Sequence, residues 1–280
     1  MQYALFDAHA HLHDKKYDND REEIIASMKS YGVGAITVGT DKEESTKAVA
    51  LAEKHEHIFA SIGHHPADNV TEEFDAQFYR NLAKSEKVVA LGECGLDYYY
   101  IETFFDRDKV EKGLSWNKDA EVDRQKRIFE EQIELAAQLN LPLMLHGRPS
   151  KGTMDAYEDM LHMLESAKKK HGTKLRGNAH FFVGSIDIAK RFIDIGFTMS
   201  FSGVITFTKD YDDIVIFLPP TMIIAETDSP YATPAPFRGE RNDSLKVQEI
   251  VAKMAVLRNE DMETMRIQVL ENVKRMFEIG

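Results

Sequence analysis

Short, nearly continuous apolar runs recur along the chain at Tyr3 to Phe6, Ala35 to Gly39, Ile58 to Ile62, Val88 to Gly92, Pro142 to Leu145, Leu175 to Ala179, Phe197 to Phe201 and Met222 to Ala225. Runs of this length without polar alternation are the pattern of strands buried on both faces. The stretches between them follow a helical period. Arg21 to Tyr31 sets Ile24, Ile25, Met28 and Tyr31 on one face, and Asp123 to Leu139 does the same with Ile128, Ile133, Ala136 and Leu139. Two more helices, Ser244 to Leu257 and Asp261 to Phe277, finish the sequence, the second with Met265, Val269, Val273 and Met276 in register. Eight buried strands alternating with helices predict an α/β fold whose parallel sheet closes into a (β/α)8 TIM-type barrel.

In such a barrel every strand ends at the same rim, so residues far apart in sequence meet there. The first run leads into Asp7-Ala8-His9-Ala10-His11, and residues two apart on a strand share a face, so His9 and His11 can offer two imidazoles to one metal ion. Later runs end in the same way. Val88 to Gly92 stops at Glu93, Pro142 to Leu145 at His146, Arg176 to Ala179 at His180, and Met222 to Ala225 at Glu226-Thr227-Asp228. Histidines mixed with carboxylates suit Zn²⁺, Mn²⁺, Co²⁺ or Ni²⁺, and Mg²⁺ where waters complete the shell. His9, His11, Glu93, His146, His180 and Asp228 are more ligands than one tetrahedral ion needs, so one or two divalent ions are expected. With two ions, a carboxylate bridges them ~3.5–4 Å apart, they deprotonate a shared water, and the reaction class is hydrolysis. Glu93, on the middle strand, is the expected bridge. Asp228 reads either as a turn cap before Ser229-Pro230 or, on a strand next to the first, as a ligand or general base.

Composition narrows the setting. The 280 residues and 43% hydrophobic content suit one barrel, and no linker, low-complexity tract or short repeat interrupts them, so residues 1–280 are expected to form a single unit. Cys94 is the only cysteine, which fits a reducing compartment. The acidic and histidine-rich start leaves no apolar stretch for a signal peptide, and a cytoplasmic, membrane-free protein is expected. A net charge of −12 argues against an extended nucleic-acid groove but not against a substrate gripped at its end by metal ions. The basic cluster Lys168, Lys169, Lys170, Lys174 and Arg176 precedes a strand and so belongs to the opposite rim, as a solvated face.

The runs Asp7 to Leu12, Gly63-His64-His65-Pro66, Gly92-Glu93-Cys94-Gly95-Leu96-Asp97-Tyr98-Tyr99, Pro142 to Arg148, Glu226 to Tyr231 and Arg238-Gly239-Glu240-Arg241-Asn242 resemble those of the TatD family of metal-dependent hydrolases, as does the ending Asn272 to Phe277. The resemblance implies an amidohydrolase-like barrel with a mono- or dinuclear site. It also implies cleavage of DNA phosphodiesters from the 3′ end, with Mg²⁺ as the assay metal. Carried onto matching positions, the ligands fall on His9, His11, Glu93, His146, His180 and Asp228, while His65 would face substrate phosphate and Arg148 and Ser202 to Thr206 are substrate-side candidates. Three stretches depart from the family pattern: Phe181 to Ser185 after His180, Pro149 after Arg148, and an insertion-like segment at about 100–120 carrying Phe104, Phe105 and Trp116.

The expected activity is therefore a 3′–5′ exodeoxyribonuclease acting on DNA ends, and on RNA ends as well, with Glu93, Asp228 and His65 catalytic and no obligate protein partner. The alternative keeps the barrel and changes the bond to a small amide, ester or lactone. Glu93 stands where many amidases of this type carry a carbamylated lysine, which weakens that alternative. A binding protein that kept only the fold is a third reading, disfavoured by the complete ligand set. The aromatics of the inserted segment read either as a platform for a terminal base or as a cover packed on the barrel top.

Overall fold

The computed structural model describes residues 3–280. Eight strands form one parallel sheet in sequential order: β1 Leu5–Ala10, β2 Val33–Val38, β3 Ile58–Ile62, β4 Val88–Asp97, β5 Leu143–Arg148, β6 Gly177–Ala179, β7 Phe197–Phe201 and β8 Ile223–Ala225. The sheet nearly closes at its carboxyl rim. There Ala10 bridges Ser229 in parallel, Asp228 N–H donates to His9 O at 2.9 Å, and His11 N–H donates to Ser229 O at 2.7 Å. This is the (β/α)8 barrel that the hydrophobic pattern predicts.

Helices α1 Arg21–Ser30, α2 Lys42–Lys54, α3 Ala76–Leu82, α4 Tyr98–Thr103, α5 Phe105–Glu111, α6 Lys118–Leu139, α7 Asp155–His171, α8 Ile186–Asp194, α9 Asp212–Phe217, α10 Val247–Arg258 and α11 Met262–Phe277 fill the connections. Their apolar faces pack on the outside of the sheet. Inside, Phe6, Ala8, Ile36, Val38, Val89, Ala90, Met144 and Ile224 form a separate cluster, joined from below by Leu270, Val273, Met276 and Phe277 of α11. Residues of five strands meet each other only within a barrel, so this cluster is its packed interior and α11 its floor. Asn272 ties that floor to the start of β8, donating to Pro220 O at 2.7 Å and Ile223 O at 2.8 Å.

Three boundaries differ from the sequence reading in ways that matter for the rim. The first strand does not end at Phe6 but runs to Ala10, the fourth does not end at Gly92 but runs to Asp97, and the fifth does not end at Leu145 but runs to Arg148. Apolar patterning stops where ligand-type residues begin, although the backbone stays extended. The first and fourth strands are also bulged there. Between Asp7 and Ala10, β1 advances three residues while β2 advances two, from Ala35 to Thr37. Between Leu91 and Cys94, β4 advances three while β5 advances two. One extra residue reverses the alternation of faces, which turns His9 and Glu93 into the barrel mouth. Gly92 makes the second bulge possible. Its φ is +143°, and a Cβ there would sit 2.2 Å from Met144 O.

The basic cluster lies at the amino-terminal rim, where Lys168 donates to Leu175 O, Lys170 pairs with Glu134 and Arg176 pairs with Glu278. Among the described residues, no helix is long and apolar enough to cross a membrane.

Candidate metal centre

Five of the six ligand candidates, His11, Glu93, His146, His180 and Asp228, line a cavity of about 870 Å³ that opens at the carboxyl rim, and the fully buried His9 packs against them. Glu93 is the hub. Its carboxylate lies 3.4 Å from His9 Nε2, 4.0 Å from His11 Nε2, 3.7 Å from His65 Nε2, 2.8 Å from His146 Nδ1 and 2.9 Å from His180 Nε2. Asp228 Oδ1 closes the other side, 3.8 Å from His9 Nε2 and 3.6 Å from His11 Nε2. Its backbone is left-handed at φ 53°, a conformation that aspartate tolerates better than most residues.

The donor chemistry fits divalent cations. His11 Nδ1 lies 2.8 Å from Val38 O, and a carbonyl only accepts, so that nitrogen carries the proton and the Nε2 lone pair of the neutral ring faces the site. His180 repeats the device with a carboxylate: Nδ1 lies 3.1 Å from Glu226 Oε1, which leaves Nε2 against Glu93. His9 Nε2 and His11 Nε2 then face each other at 3.3 Å with two carboxylates alongside. Such lone pairs repel unless a proton or a metal ion lies between them. Carbonyl or carboxylate partners on the outer nitrogen are what orient metal-binding imidazoles. The groups fall into overlapping triads able to hold an ion, among them His9/His11/Glu93, His9/His180/Asp228 and Glu93/His146/His180.

Without metal, protons take up that role. Burial pushes the Glu93 carboxyl up, but the imidazoles of His180, His9 and His65 outweigh it and hold the group well below the usual range. Burial opposes charge on His180 as well, yet Glu226 and Glu93 raise it well above an ordinary histidine. His11, against Asp228, and His146, against Asp97 and Glu93, are both raised to about 9 despite burial. His9, buried and facing the His180 cation, is lowered. Asp228 is lowered against the same burial by His11 and its neighbours, which keeps it anionic at neutral pH.

Sequence reasoning missed several residues that shape this centre. Asp97, at the end of the extended β4, places Oδ2 3.2 Å from His146 Nε2 and accepts Tyr100 N–H at 2.7 Å. Glu226 is fully buried and accepts from His180, from Phe181 N–H at 2.7 Å and from Ser200 Oγ at 2.5 Å. Asp7 accepts Thr227 N–H at 2.7 Å and Thr227 Oγ1 at 2.6 Å, tying β1 to the residue before Asp228. Each stands within a motif already visible in the sequence, but carboxylates two to four residues apart on a strand cannot be ranked without knowing which face they take.

Among the substrate-side candidates, His65 lines the cavity, its Nδ1 3.0 Å from Asp68. Arg148 also lines it, its guanidinium stacked 4.0 Å over Tyr99. Ser202, directly after β7, is fully buried and is not among the residues that line the cavity, and its hydroxyl has no hydrogen-bond partner among the described residues. Of the aromatics in the 100–120 segment, Phe105 is buried as a cover. Trp116 is half-buried and donates its indole N–H to Glu121 at 2.8 Å. Only Phe104 of the three reaches the cavity.

His64 faces away. Gln132 holds its backbone at 2.8 and 3.0 Å, and neither buried ring nitrogen makes a hydrogen bond among the described residues, the Glu72 carboxylate lying 3.4 Å from Nδ1. Burial, with the Arg124 guanidinium nearby, lowers it to about 4. The folded pKa lies below the unfolded value, so the neutral ring stabilises the fold fully above about 6.5 and loses that contribution as pH falls toward 4. The loss amounts to about 3 kcal/mol. Urea denaturation at pH 7 and pH 4.5 should show a steeper acid loss in the unsubstituted protein than in His64→Phe. Equal losses would refute a buried neutral His64.

Comparisons with known proteins agree with this geometry. The model of the family TatD related DNase matches residues 6–278. A Bacillus subtilis (strain 168) protein described as the uncharacterized metal-dependent hydrolase YabD is 37% identical over 281 residues, covering 99% of this chain and 100% of its own length. Its Escherichia coli (strain K12) counterpart in description, YcfH, is 31% identical over 281 residues, covering 98% of this chain and 96% of its own. The crystal structure of YjjV, a TatD homolog from Escherichia coli K12, has the same fold, with a TM-score of 0.83 at 24% identity and 100% of both chains covered.

Proposed function

The chain belongs to the TatD family of metal-dependent hydrolases, and from that premise we propose that it is a phosphodiesterase that removes nucleotides from the 3′ ends of DNA, and of RNA as well. Residues 1–280 act in this reading as one hydrolase barrel, with the segment at about 100–120 inserted on its catalytic rim. The observation that carries the reading is the convergence of five imidazoles on Glu93 within 4.0 Å, at the floor of an open cavity.

His9, His11, Glu93, His146, His180 and Asp228 would hold one or two divalent ions (Mg²⁺, Zn²⁺ or Mn²⁺), and Glu93 would be the carboxylate shared if there are two. When bound, the ions supply Lewis-acid activation of water and neutralise charge on the attacked phosphodiester. Asp228, anionic and open to the cavity with 16% of its side chain exposed, accepts the proton of the attacking water. His65, braced by Asp68, and Arg148, braced by Tyr99, orient the phosphodiester above that carboxylate. Attack forms one P–O bond, breaks the P–O bond to the leaving 3′ oxygen of the preceding nucleotide, and passes one proton from water to Asp228, which returns it to that leaving oxygen.

A protein of net charge −12 grips a strand by its end and not along its length. End-labelled linear single strands should therefore be shortened stepwise to mononucleotides in Mg²⁺ or Mn²⁺, while covalently closed circular single strands survive. Rapid nicking of circles would refute exonucleolytic action. Turnover of esters, amides or lactones with no cleavage of either DNA would establish the alternative hydrolase.

A further inference from the structure

The segment between β4 and α6 carries four acids, Glu102, Asp106, Asp108 and Glu111, and three bases, Arg107, Lys109 and Lys112, so its composition hides any preference for anions. Its placement does not. Of these seven, only Arg107, Asp108 and Lys112 line the cavity, beside Phe104. Asp108 is buried, and its two oxygens are shared out: Oδ1 accepts Arg107 Nε at 3.1 Å and Nη2 at 3.0 Å, Oδ2 accepts Lys112 Nζ at 3.2 Å and the Tyr100 hydroxyl at 3.3 Å. The exposed Glu111 is the other acid in reach, 4.0 Å from Arg107 Nε. One buried carboxylate thus fixes two cations whose heads stay accessible, with 62% of the Arg107 and 38% of the Lys112 side chain exposed. Arg107 also rests 5.3 Å over the Phe104 ring.

The opposite wall has the other sign, with Asp14 and Glu44 lining it next to Asp228. A polyanion anchored at the cavity floor is repelled from that wall and drawn toward the α5 side. Deepening the phosphodiesterase reading, on which it rests, we infer that Arg107 and Lys112, positioned by Asp108, form an anion subsite. It takes the phosphate neighbouring the scissile one in a single-stranded polynucleotide, and Phe104 packs against the adjoining nucleotide. The segment then selects chains of nucleotides over esters that carry a single phosphate.

Two measurements test this. Binding of a fluorescent single-stranded oligothymidylate to Glu93→Gln protein, followed by anisotropy across a salt series, reads the contacts without turnover. Adding Arg107→Gln and Lys112→Gln should weaken binding by on the order of tenfold and make the salt slope shallower by about 0.7, the share of one neutralised phosphate on a single strand. Asp108→Asn should weaken binding even though it removes a negative charge. Tighter binding would show that Asp108 only dilutes the positive field and would overturn its positioning role. In the otherwise unsubstituted, metal-loaded enzyme, the double substitution should lower the ratio of kcat/KM for the oligothymidylate over bis(4-nitrophenyl) phosphate by a similar factor. If the unsubstituted enzyme cleaves neither compound, the phosphodiesterase reading falls and takes this inference with it. If it cleaves both and the double substitution leaves slope and ratio as they were, the inference alone is overturned.

Discussion

Glu93→Gln should abolish hydrolysis, by on the order of a thousandfold or more, while the barrel stays folded. The amide keeps the shape of the carboxyl and removes its charge, and it is the charge that five imidazoles face. A Gln cannot compensate divalent cations or bridge them, so added metal should not restore turnover. Removing one partner of a buried ion pair ordinarily costs several kcal/mol because the other charge is stranded. Here the facing groups are imidazoles, which shed protons instead. His146 and His180, raised in part by Glu93 itself, should fall back toward ordinary values in the variant. Circular dichroism and cooperative urea unfolding at pH 8 should therefore stay close to those of the unsubstituted protein. Near-native turnover in this variant would remove Glu93 from the centre of the mechanism.

The barrel and the ligand set were legible for the same reason. A parallel barrel buries both faces of its strands, so strands stand out as apolar runs, and the rim begins where each run stops. His146 and His180 sit at such stops, and Asp228 lies just beyond one. The apolar signal ended early at β1, β4 and β5, where His9, Glu93, Asp97 and His146 lie inside the strand and not after it. It also gave no sign of the bulges that aim His9 and Glu93 inward, because a bulge is one extra residue in a pairing register, and register is a relation between two segments. The supporting carboxylates were hidden by a related limit. Glu226 and Asp228 flank Thr227 in one short run, and only the three-dimensional path shows that Glu226 turns back to hold His180 while Asp228 turns toward His9 and His11.

Glu226→Gln should weaken metal binding by about 10- to 100-fold and lower activity at limiting metal, with recovery at high metal concentration. The carboxylate accepts from His180 Nδ1, Phe181 N–H and Ser200 Oγ, and is otherwise sealed from solvent. In the variant, a side-chain amide offers one acceptor oxygen and two N–H donors, so at least one of the three donors loses its partner. His180 Nδ1 can lose its acceptor and the ring its fixed tautomer, and part of the population then presents Nε2–H to the site in place of a lone pair. Glu226 touches no substrate, so its effect is confined to how well His180 is held. Competition with a chromophoric chelator reads the affinity, and a metal titration of kcat reads the recovery. The outcome separates the two carboxylates: activity lost in Glu226→Gln should return with excess metal, and activity lost in Glu93→Gln should not. Unchanged metal affinity in Glu226→Gln would show that His180 needs no orienting partner, and a loss that no metal concentration repairs would place Glu226 in the reaction itself.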